Sequence, residues 1–302
     1  MTEAAARQRK GLLFAVGAYG FWGFVPLYFK AIREVPPLEV LAHRVVWSVV
    51  TVAVLVAVMG RFPALLDAAR RPGNLPRLAL SSVLVASNWL LFIWAVTSGR
   101  ILESSLGYYI NPIVSVLLGS IVLRERLHAV EWLSVGLAAC AVLWLTVSLG
   151  VFPVLPLALA LTFGFYGLVR KSAKVGAIEG LAIETALLLP LALGYLAWLH
   201  ARGELAFGHR GLTLDLLLAA AGPVTAIPLI SFAAAVSRLR LATMGLMQYL
   251  SPTIQFVLAV LVYREPFGRE RLIAFVLIWA ALALFAGWNS QAARRPVPPA
   301  AE

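Results

Sequence analysis

The sequence predicts an all-α polytopic membrane protein in which ten transmembrane helices form two inverted five-helix repeats. Three observations carry this prediction: the composition, the apolar runs of bilayer-spanning length, and a long stretch that recurs 140 residues later. Of the 302 residues, 61% are hydrophobic and 13% are charged, and the mean hydropathy is +0.89. Ordinary soluble domains carry about a quarter charged residues, so the composition excludes a water-soluble globule.

The recurring stretch is Glu103–Leu127, ESSLGYYINPIVSVLLGSIVLRERL, which returns at Thr243–Phe267 as TMGLMQYLSPTIQFVLAVLVYREPF. Pro112 aligns with Pro252 without a gap. Each copy holds about twenty apolar or small residues, enough to cross a bilayer at ~1.5 Å per residue. A membrane helix tolerates a central proline where neighbours or a wet cavity satisfy the freed carbonyl. The chain is therefore predicted to be a duplicated membrane protein.

Ten spans follow from the length of the apolar runs and from their charged flanks. The predicted spans are 11–30, 38–59, 77–98, 103–123, 131–149, 151–170, 178–199, 213–236, 243–263 and 271–288. The longest connections are 60–76 and 200–212, so we expect no separate soluble domain.

The duplication also predicts the domain boundaries. Residues 1–149 would form the first five-helix repeat, 150–289 the second, and 290–302 a disordered cytoplasmic tail rich in Pro and Ala. Because each repeat has an odd number of spans, the second inserts upside down relative to the first. Inverted repeats of this kind place a substrate site near the midplane and exchange inward-open and outward-open states.

The loop charges predict the orientation. Sixteen Lys and Arg residues lie on the side of the two termini and eight on the opposite side, so both termini are predicted to be cytoplasmic. The net charge of +11 thus reads as a topology signal rather than a nucleic-acid patch, because the basic residues lie between apolar runs. We expect contacts with the lipid bilayer and none with nucleic acid.

Five blocks of the sequence, in order along the chain, resemble one known family. They are FWGFVPLYFK, LEVLAHRVVWS, NWLLFIWAV, LESSLGYYINP and MQYLSPTIQF. They resemble the RarD subfamily of the EamA-domain drug/metabolite transporter superfamily, whose members are described as chloramphenicol-sensitivity permeases. The resemblance covers nearly all of the chain apart from its two ends. It implies a transporter of a small organic solute, metabolite or drug, in the inner membrane of a bacterium.

Two polar stripes flank the central prolines and are predicted to line the substrate site. Within each stripe, polar and small residues recur at intervals of three and four and share one helix face. The first consists of Tyr108, Asn111, Ser115 and Gly119; the second consists of Gln248, Ser251, Gln255 and Ala259. The alternative is helix–helix packing, which also uses small and amide residues. Aromatic walls are predicted at Trp22, Trp89 and Tyr166, which could instead be interfacial anchors.

Arg44 and Glu184 are the most informative charges, since they lie 140 residues apart and about two turns inside equivalent spans. A charge at that depth costs a few kcal/mol and usually faces a partner or water. The inverted repeat places Arg44 toward the outside and Glu184 toward the cytoplasm, in two separate polar clusters. The expected partners are Glu39 or Glu103 for Arg44, and Lys171, Lys174 or Arg238 for Glu184.

These charges, with the two prolines, are the predicted gating and coupling residues: Arg44, Glu103, Pro112, Glu184 and Pro252. Arg44 could instead extend its long side chain to the headgroups. For Glu184 we hypothesise proton coupling, because burial disfavours a charged carboxyl while a nearby cation opposes this. The competing hypothesis is a static lock, in which Glu184 holds a basic residue and closes the inner gate.

The sequence contains no P-loop, no ATP-binding domain and no metal-ligand spacing, so no cofactor or metal is expected and a gradient must supply any energy. The predicted function is solute transport by alternating access, with proton coupling as one option. A passive channel and a membrane-embedded sensor are the alternatives. A membrane enzyme would need acid, base or metal-binding residues clustered near one interface, and Glu184 alone does not supply them.

Overall fold

The computed structural model describes residues 3–97, 101–150, 154–258 and 268–292. Within these ranges all regular secondary structure is helical. A helix pairs the N–H and C=O groups of its own segment with one another, as an apolar span in a membrane requires. The helices are α1 (Glu3–Ala31), α2 (Pro37–Val58), α3 (Phe62–Arg70), α4 (Asn74–Thr97), α5 (Ile101–Ile121), α6 (Ala129–Leu149), α7 (Val154–Ser172), α8 (Ala177–Ala201), α9 (Leu212–Val236), α10 (Leu241–Met247), α11 (Leu250–Val257) and α12 (Arg269–Ala292).

Seven of the described helices are long and apolar enough to cross a membrane, namely α1, α2, α4, α6, α7, α8 and α9. The apolar parts of α5 and α12, at Gly107–Ile121 and Leu272–Phe285, are shorter. Large apolar side chains such as Val147 and Leu191 point outward and are exposed. Such a surface requires hydrocarbon rather than water around it. The chain is a multi-pass membrane protein.

The ninth predicted span, 243–263, differs from the structure. Within its described part it divides into α10 and α11 at Gln248 and Tyr249, and residues 259–267 lie outside the described residues. Pro252 has no N–H to offer the Gln248 carbonyl, which instead accepts the N–H of Ser251 at 3.2 Å. By contrast, α5 continues through Pro112 without a break. The helix is therefore interrupted in the second copy of the recurring stretch and continuous in the first.

Two further helical segments differ from the prediction. The short helix α3 forms inside the predicted connection 60–76, where its Ala68 packs in a small core with Leu78 and Ile183. Helix α12 continues to Ala292, although disorder was predicted from residue 290, and residues 293–302 lie outside the described residues.

The helices of the two predicted repeats interleave rather than forming separate bundles. Helix α2 packs against α8 and α9, α1 against α9 and α11, α5 against α7 and α10, α4 against α7, and α6 against α12. The largest hydrophobic core accordingly joins side chains of both halves, including Tyr19, Trp89, Tyr166 and Phe232. Residues that are distant in sequence thereby come together at the centre of the molecule.

Contacts between the loops define two opposite faces of the bundle. Arg7 donates to the Ser237 carbonyl at 3.1 Å, at what we call the N-terminal face. Arg210 donates to the Glu34 carbonyl at 3.0 Å, at what we call the opposite face. Each contact joins segments that alternating spans predict on the same side of the membrane.

Candidate functional site

Arg44 lies two turns into α2, near the opposite face, with its guanidinium half-buried. Its Nε donates to Thr225 Oγ1 of α9 at 2.9 Å. The guanidinium carbon lies 4.4 Å from the centre of the Trp89 ring on α4 and 5.5 Å from that of Phe29 on α1. Four helices therefore converge on one cation, which is held by a hydroxyl group and by two aromatic faces.

Two tyrosines face the same guanidinium. Tyr28 on α1 donates its hydroxyl to the Leu217 carbonyl at 3.0 Å, and Tyr108 on α5 packs edge-on against Phe92 with ring centres 5.9 Å apart. Within the described part of the chain the Tyr108 hydroxyl forms no hydrogen bond. We call this group the Arg44 cluster: Tyr28, Phe29, Arg44, Trp89, Tyr108 and Thr225.

The Arg44 cluster brings together three residues that the sequence predicted for different roles, Arg44, Trp89 and Tyr108. Sequence reasoning missed Tyr28, Phe29 and Thr225. Thr225 carries the one recoverable signal, since it is the polar residue between the two prolines of α9.

Glu39 does not pair with Arg44, contrary to one of the expectations above. Its carboxylate accepts the backbone N–H of Ala206 at 2.7 Å and that of Phe207 at 3.3 Å, and lies 3.8 Å from His43 Nε2. Five residues along a helix turn the side chain by about 140°, so Glu39 faces the loop after α8 instead. The other expected partner, Glu103, lies outside the residues whose side chains are described.

Glu184 lies at the equivalent depth of α8, near the N-terminal face, and is 1% exposed. It accepts a hydrogen bond from Ser81 Oγ at 2.5 Å and lies 3.6 Å from Arg170 Nε. The Tyr166 hydroxyl faces the same carboxylate. We call this group the Glu184 cluster: Ser81, Tyr166, Arg170 and Glu184. The two charges thus belong to separate clusters, as predicted.

The basic partner of Glu184 is Arg170, and none of the three predicted partners. Those were Lys171, Lys174 and Arg238. Lys171 lies 3.6 Å from Glu125 instead, while Lys174 is exposed and Arg238 bonds the Ala234 carbonyl. Neighbouring residues on a helix point about 100° apart, so Arg170 and Lys171 serve different neighbours.

The Glu184–Arg170 pair is buried but incompletely hydrogen-bonded. Arg170 is 5% exposed; among the described residues its Nε and Nη1 have no hydrogen-bond acceptor, and Glu184 Oε2 has no donor. Arg170 lies directly over Gly180 of α8, where any side chain would collide with the guanidinium. The absence of a side chain at Gly180 makes room for the Arg170 guanidinium. Because both groups are buried, charge attraction rather than a full set of hydrogen bonds holds the pair together.

The first polar stripe divides between two roles. At its lower end Ser115 and Gly119 pack against α10: a Cβ on Gly245 would lie 3.0 Å from the Ser115 Cβ, and a Cβ on Gly119 would lie 3.0 Å from the α10 backbone. These contacts favour the packing alternative for these two residues. Asn111 and Gln248 are each 5% exposed, and neither Asn111 Oδ1 nor Gln248 Oε1 has a hydrogen bond to a described residue. Both amides lie in the protein interior, away from lipid.

The second stripe ties α11 to α1. Ser251 donates to the Tyr19 carbonyl at 2.5 Å, and Gln255 donates to the Trp22 carbonyl at 3.4 Å. Ala259 lies outside the described residues. The same two helices approach closely at Gly23, where a Cβ would lie 2.6 Å from Ile254. This stripe therefore fixes the position of α11.

Between the two clusters lies a layer of aromatic rings. Trp22 is half-buried, with its ring centre 5.6 Å from Phe163 and 5.8 Å from Phe232. Tyr166 stacks on Phe232 with ring centres 5.7 Å apart and is 1% exposed. Tyr166 thus links this layer to Glu184.

Comparison with known proteins places this geometry in context. The model of the EamA-like transporter family matches residues 9–147. The chain is 47% identical to a protein named RarD from Salmonella typhi, over 93% of this chain and 96% of the relative. It is 44% identical to a protein of Vibrio cholerae named an uncharacterized transporter, over 94% of each. A solved structure titled "Crystal structure of protein" shares the fold, with a TM-score of 0.72 and 19% identity, covering 96% of this chain and all of that one.

Proposed function

The chain belongs to the EamA-like transporter family, in the RarD group, and on that premise we propose that it is a secondary transporter which moves a small organic solute by alternating access. The proposal includes ten spans arranged as two inverted repeats, with both termini in the cytoplasm. The family match to the first half and the 140-residue repeat support this arrangement.

One observation carries the mechanism: the two polar clusters lie at equivalent depths near opposite faces of the bundle and differ in how closed they are. Glu184 and Arg170 are buried together near the N-terminal face, while Arg44 near the opposite face is only partly buried. Alternating access requires a separate closure on each side of a central site. This pattern supports a state that is closed toward the N-terminal face and more open toward the other.

We assign the closure at the N-terminal face to the Glu184–Arg170 pair, which joins α8 to α7, with Ser81 of α4 hydrogen-bonded to the same carboxylate. Opening on that side would separate these helices and hydrate both charges. Proton coupling at Glu184 is the second candidate, favoured by the carboxylate oxygen Oε2 that lacks a hydrogen bond. In that role a proton, rather than Arg170, would neutralise Glu184 during part of the cycle.

The experiment is solute flux in proteoliposomes loaded with a panel of labelled organic acids, amines, amino acids and neutral drugs. A carrier is expected to show saturable uptake that accelerates when unlabelled solute is present on the other side. Liposomes without protein are the control. Uptake that rises linearly with concentration and shows no such acceleration would indicate a channel, and conversion of the solute would indicate an enzyme; either result would contradict the proposal.

A further inference from the structure

The Arg44 cluster contains a cation for which the described residues supply no acidic partner. Four other arginines and lysines that reach into the protein each lie within 4 Å of a carboxylate. These pairs are Arg61–Glu179 at 2.5 Å, Arg170–Glu184 at 3.6 Å, Lys171–Glu125 at 3.6 Å and Arg240–Glu131 at 2.9 Å. Charges removed from water are normally paired in this way. Among the described residues Arg44 has a threonine hydroxyl and aromatic rings in place of a carboxylate.

The free part of the Arg44 guanidinium has the geometry of a carboxylate receptor. Its Nε is used by Thr225, and the face of the group lies against Trp89. The two Nη nitrogens form no hydrogen bond with the described residues. An arginine fork of parallel N–H groups matches the two oxygens of a carboxylate, and such charge-assisted pairs are among the strong hydrogen bonds in proteins.

The surroundings of the guanidinium favour a carboxylate attached to an apolar body. The Tyr108 hydroxyl lies close enough to Arg44 to interact with its charge, and among the described residues it has no hydrogen-bond partner, so it could donate to the same anion. The rings of Phe29 and Trp89 provide apolar walls. Arg44 is partly exposed and lies near the opposite face, so the described protein does not fully enclose it.

We infer that the transported solute is an organic carboxylate, and that Arg44 binds its carboxylate through the two Nη atoms, with Tyr108 as an additional donor. This inference rests on the proposed function and deepens it, because it names the chemical class of the solute. The bound anion supplies the counter-charge that the described residues do not give Arg44. Loading the site therefore neutralises Arg44, whereas the empty site leaves a partly desolvated cation.

The test measures binding to the purified full-length protein in detergent at pH 7, by isothermal titration calorimetry. The probes are benzoate, phenylacetate and indole-3-acetate, each compared with its uncharged amide. We expect at least one carboxylate to bind saturably, with its amide weaker by about tenfold or more, because the amide lacks the charge. Arg44→Gln should weaken carboxylate binding by about tenfold or more, and Arg44→Lys should fall between, since lysine keeps the charge and loses the fork.

Arg210→Gln is the matched control, because Arg210 lies at the same face but is exposed and bonds only a backbone carbonyl among the described residues. It should bind the carboxylates like the parent protein. Gel filtration and the thermal midpoint verify that each variant is folded. The inference is overturned if none of the three carboxylates binds, if acids and amides bind alike, or if Arg44→Gln binds as the parent does.

The same preparation separates this inference from the proposed function. Carboxylate binding that depends on Arg44 without any saturable flux in proteoliposomes would leave the anion site intact and contradict the carrier. Saturable exchange of neutral solutes that is unchanged in Arg44→Gln would support the carrier and overturn the anion site. If carboxylate binding appears only after Glu103→Gln, the partner of Arg44 is internal, and the inference also fails.

Discussion

The Arg44 cluster and the Glu184 cluster occupy equivalent places in the two halves of the chain, yet different kinds of neighbour surround the charged group in each. Glu184 has a guanidinium at 3.6 Å and a hydroxyl at 2.5 Å, and both side chains of the pair are buried. Arg44 has a hydroxyl at 2.9 Å, aromatic faces and partial exposure. Among the described residues the Glu184 carboxylate has a counter-ion and the Arg44 guanidinium has none, and the proposed carboxylate solute would supply it.

The contacts made by the first turns of α2 and α8 are similar in the two halves, whereas the two clusters differ. Glu39 and Glu179, again 140 residues apart, lie in the first turns of α2 and α8. Glu39 accepts backbone N–H groups of the loop after α8, and Glu179 pairs with Arg61 in the loop after α2 at 2.5 Å. Each helix therefore anchors the loop that follows the other. Deeper in the bundle the partners differ, since Arg44 meets a hydroxyl group and aromatic rings whereas Glu184 meets a guanidinium.

The largest effect on stability is expected from Arg170→Met, which leaves Glu184 buried without its counter-ion. Removing one partner of a buried pair costs about 3–5 kcal/mol. The free energy of unfolding in detergent should fall by about that amount. Arg170→Met combined with Glu184→Gln should recover most of the loss, because the uncompensated charge is gone. A double variant no more stable than the single one would mean that the pair contributes nothing as a pair.

Glu184→Gln tests what the Glu184 cluster does during transport, because it keeps the shape of the side chain and removes its charge. If the pair is a lock, the rate of solute exchange in proteoliposomes should change several-fold, on the order of 1 kcal/mol. Combining Glu184→Arg with Arg170→Glu should then restore exchange toward the parent value. Parent-like exchange with lost gradient-driven accumulation would favour proton coupling instead. Parent-like accumulation would exclude both roles.

Arg44→Gln should show the reverse profile, a large loss of function with a small loss of stability. The variant loses a cation–π contact of about 0.5–2 kcal/mol, but it also removes a desolvated charge, and the two effects oppose each other. The free energy of unfolding should therefore change by about 1 kcal/mol or less, measured beside Arg170→Met. A loss as large as that of Arg170→Met would indicate that Arg44 already has an acidic partner, such as Glu103.

The variants with the smallest expected effect on stability test which cluster faces which side of the membrane. In a Cys140→Ser background, Glu204→Cys and Lys174→Cys introduce thiols at exposed positions on opposite faces, with stability changes of about 0.5 kcal/mol or less. A membrane-impermeant thiol reagent added to intact cells should modify the cysteine of Glu204→Cys and spare that of Lys174→Cys. The opposite labelling pattern would place the Glu184 cluster toward the outside and contradict the predicted orientation.

The sequence by itself determined the membrane class, the family, the positions of most helices and the two residues on which the comparison rests. These features depend on local properties: apolar length, the positions of prolines, and a repeat that can be aligned without a gap. Arg44 and Glu184 could be singled out from sequence because a charge two turns inside an apolar span is costly wherever the helix packs.

Only the tertiary structure decided which neighbours those residues have. Arg170, rather than Lys171, meets Glu184, and Thr225 with Trp89 meets Arg44, because the rotation of each helix about its axis selects one residue in three or four for a given contact. The break between α10 and α11 has a similar origin. Pro252 and Pro112 free equivalent carbonyls, but only packing decides whether the helix bends in response. Periodicity along the chain identifies which residues share a helix face, and the packing of one helix against another determines what that face contacts.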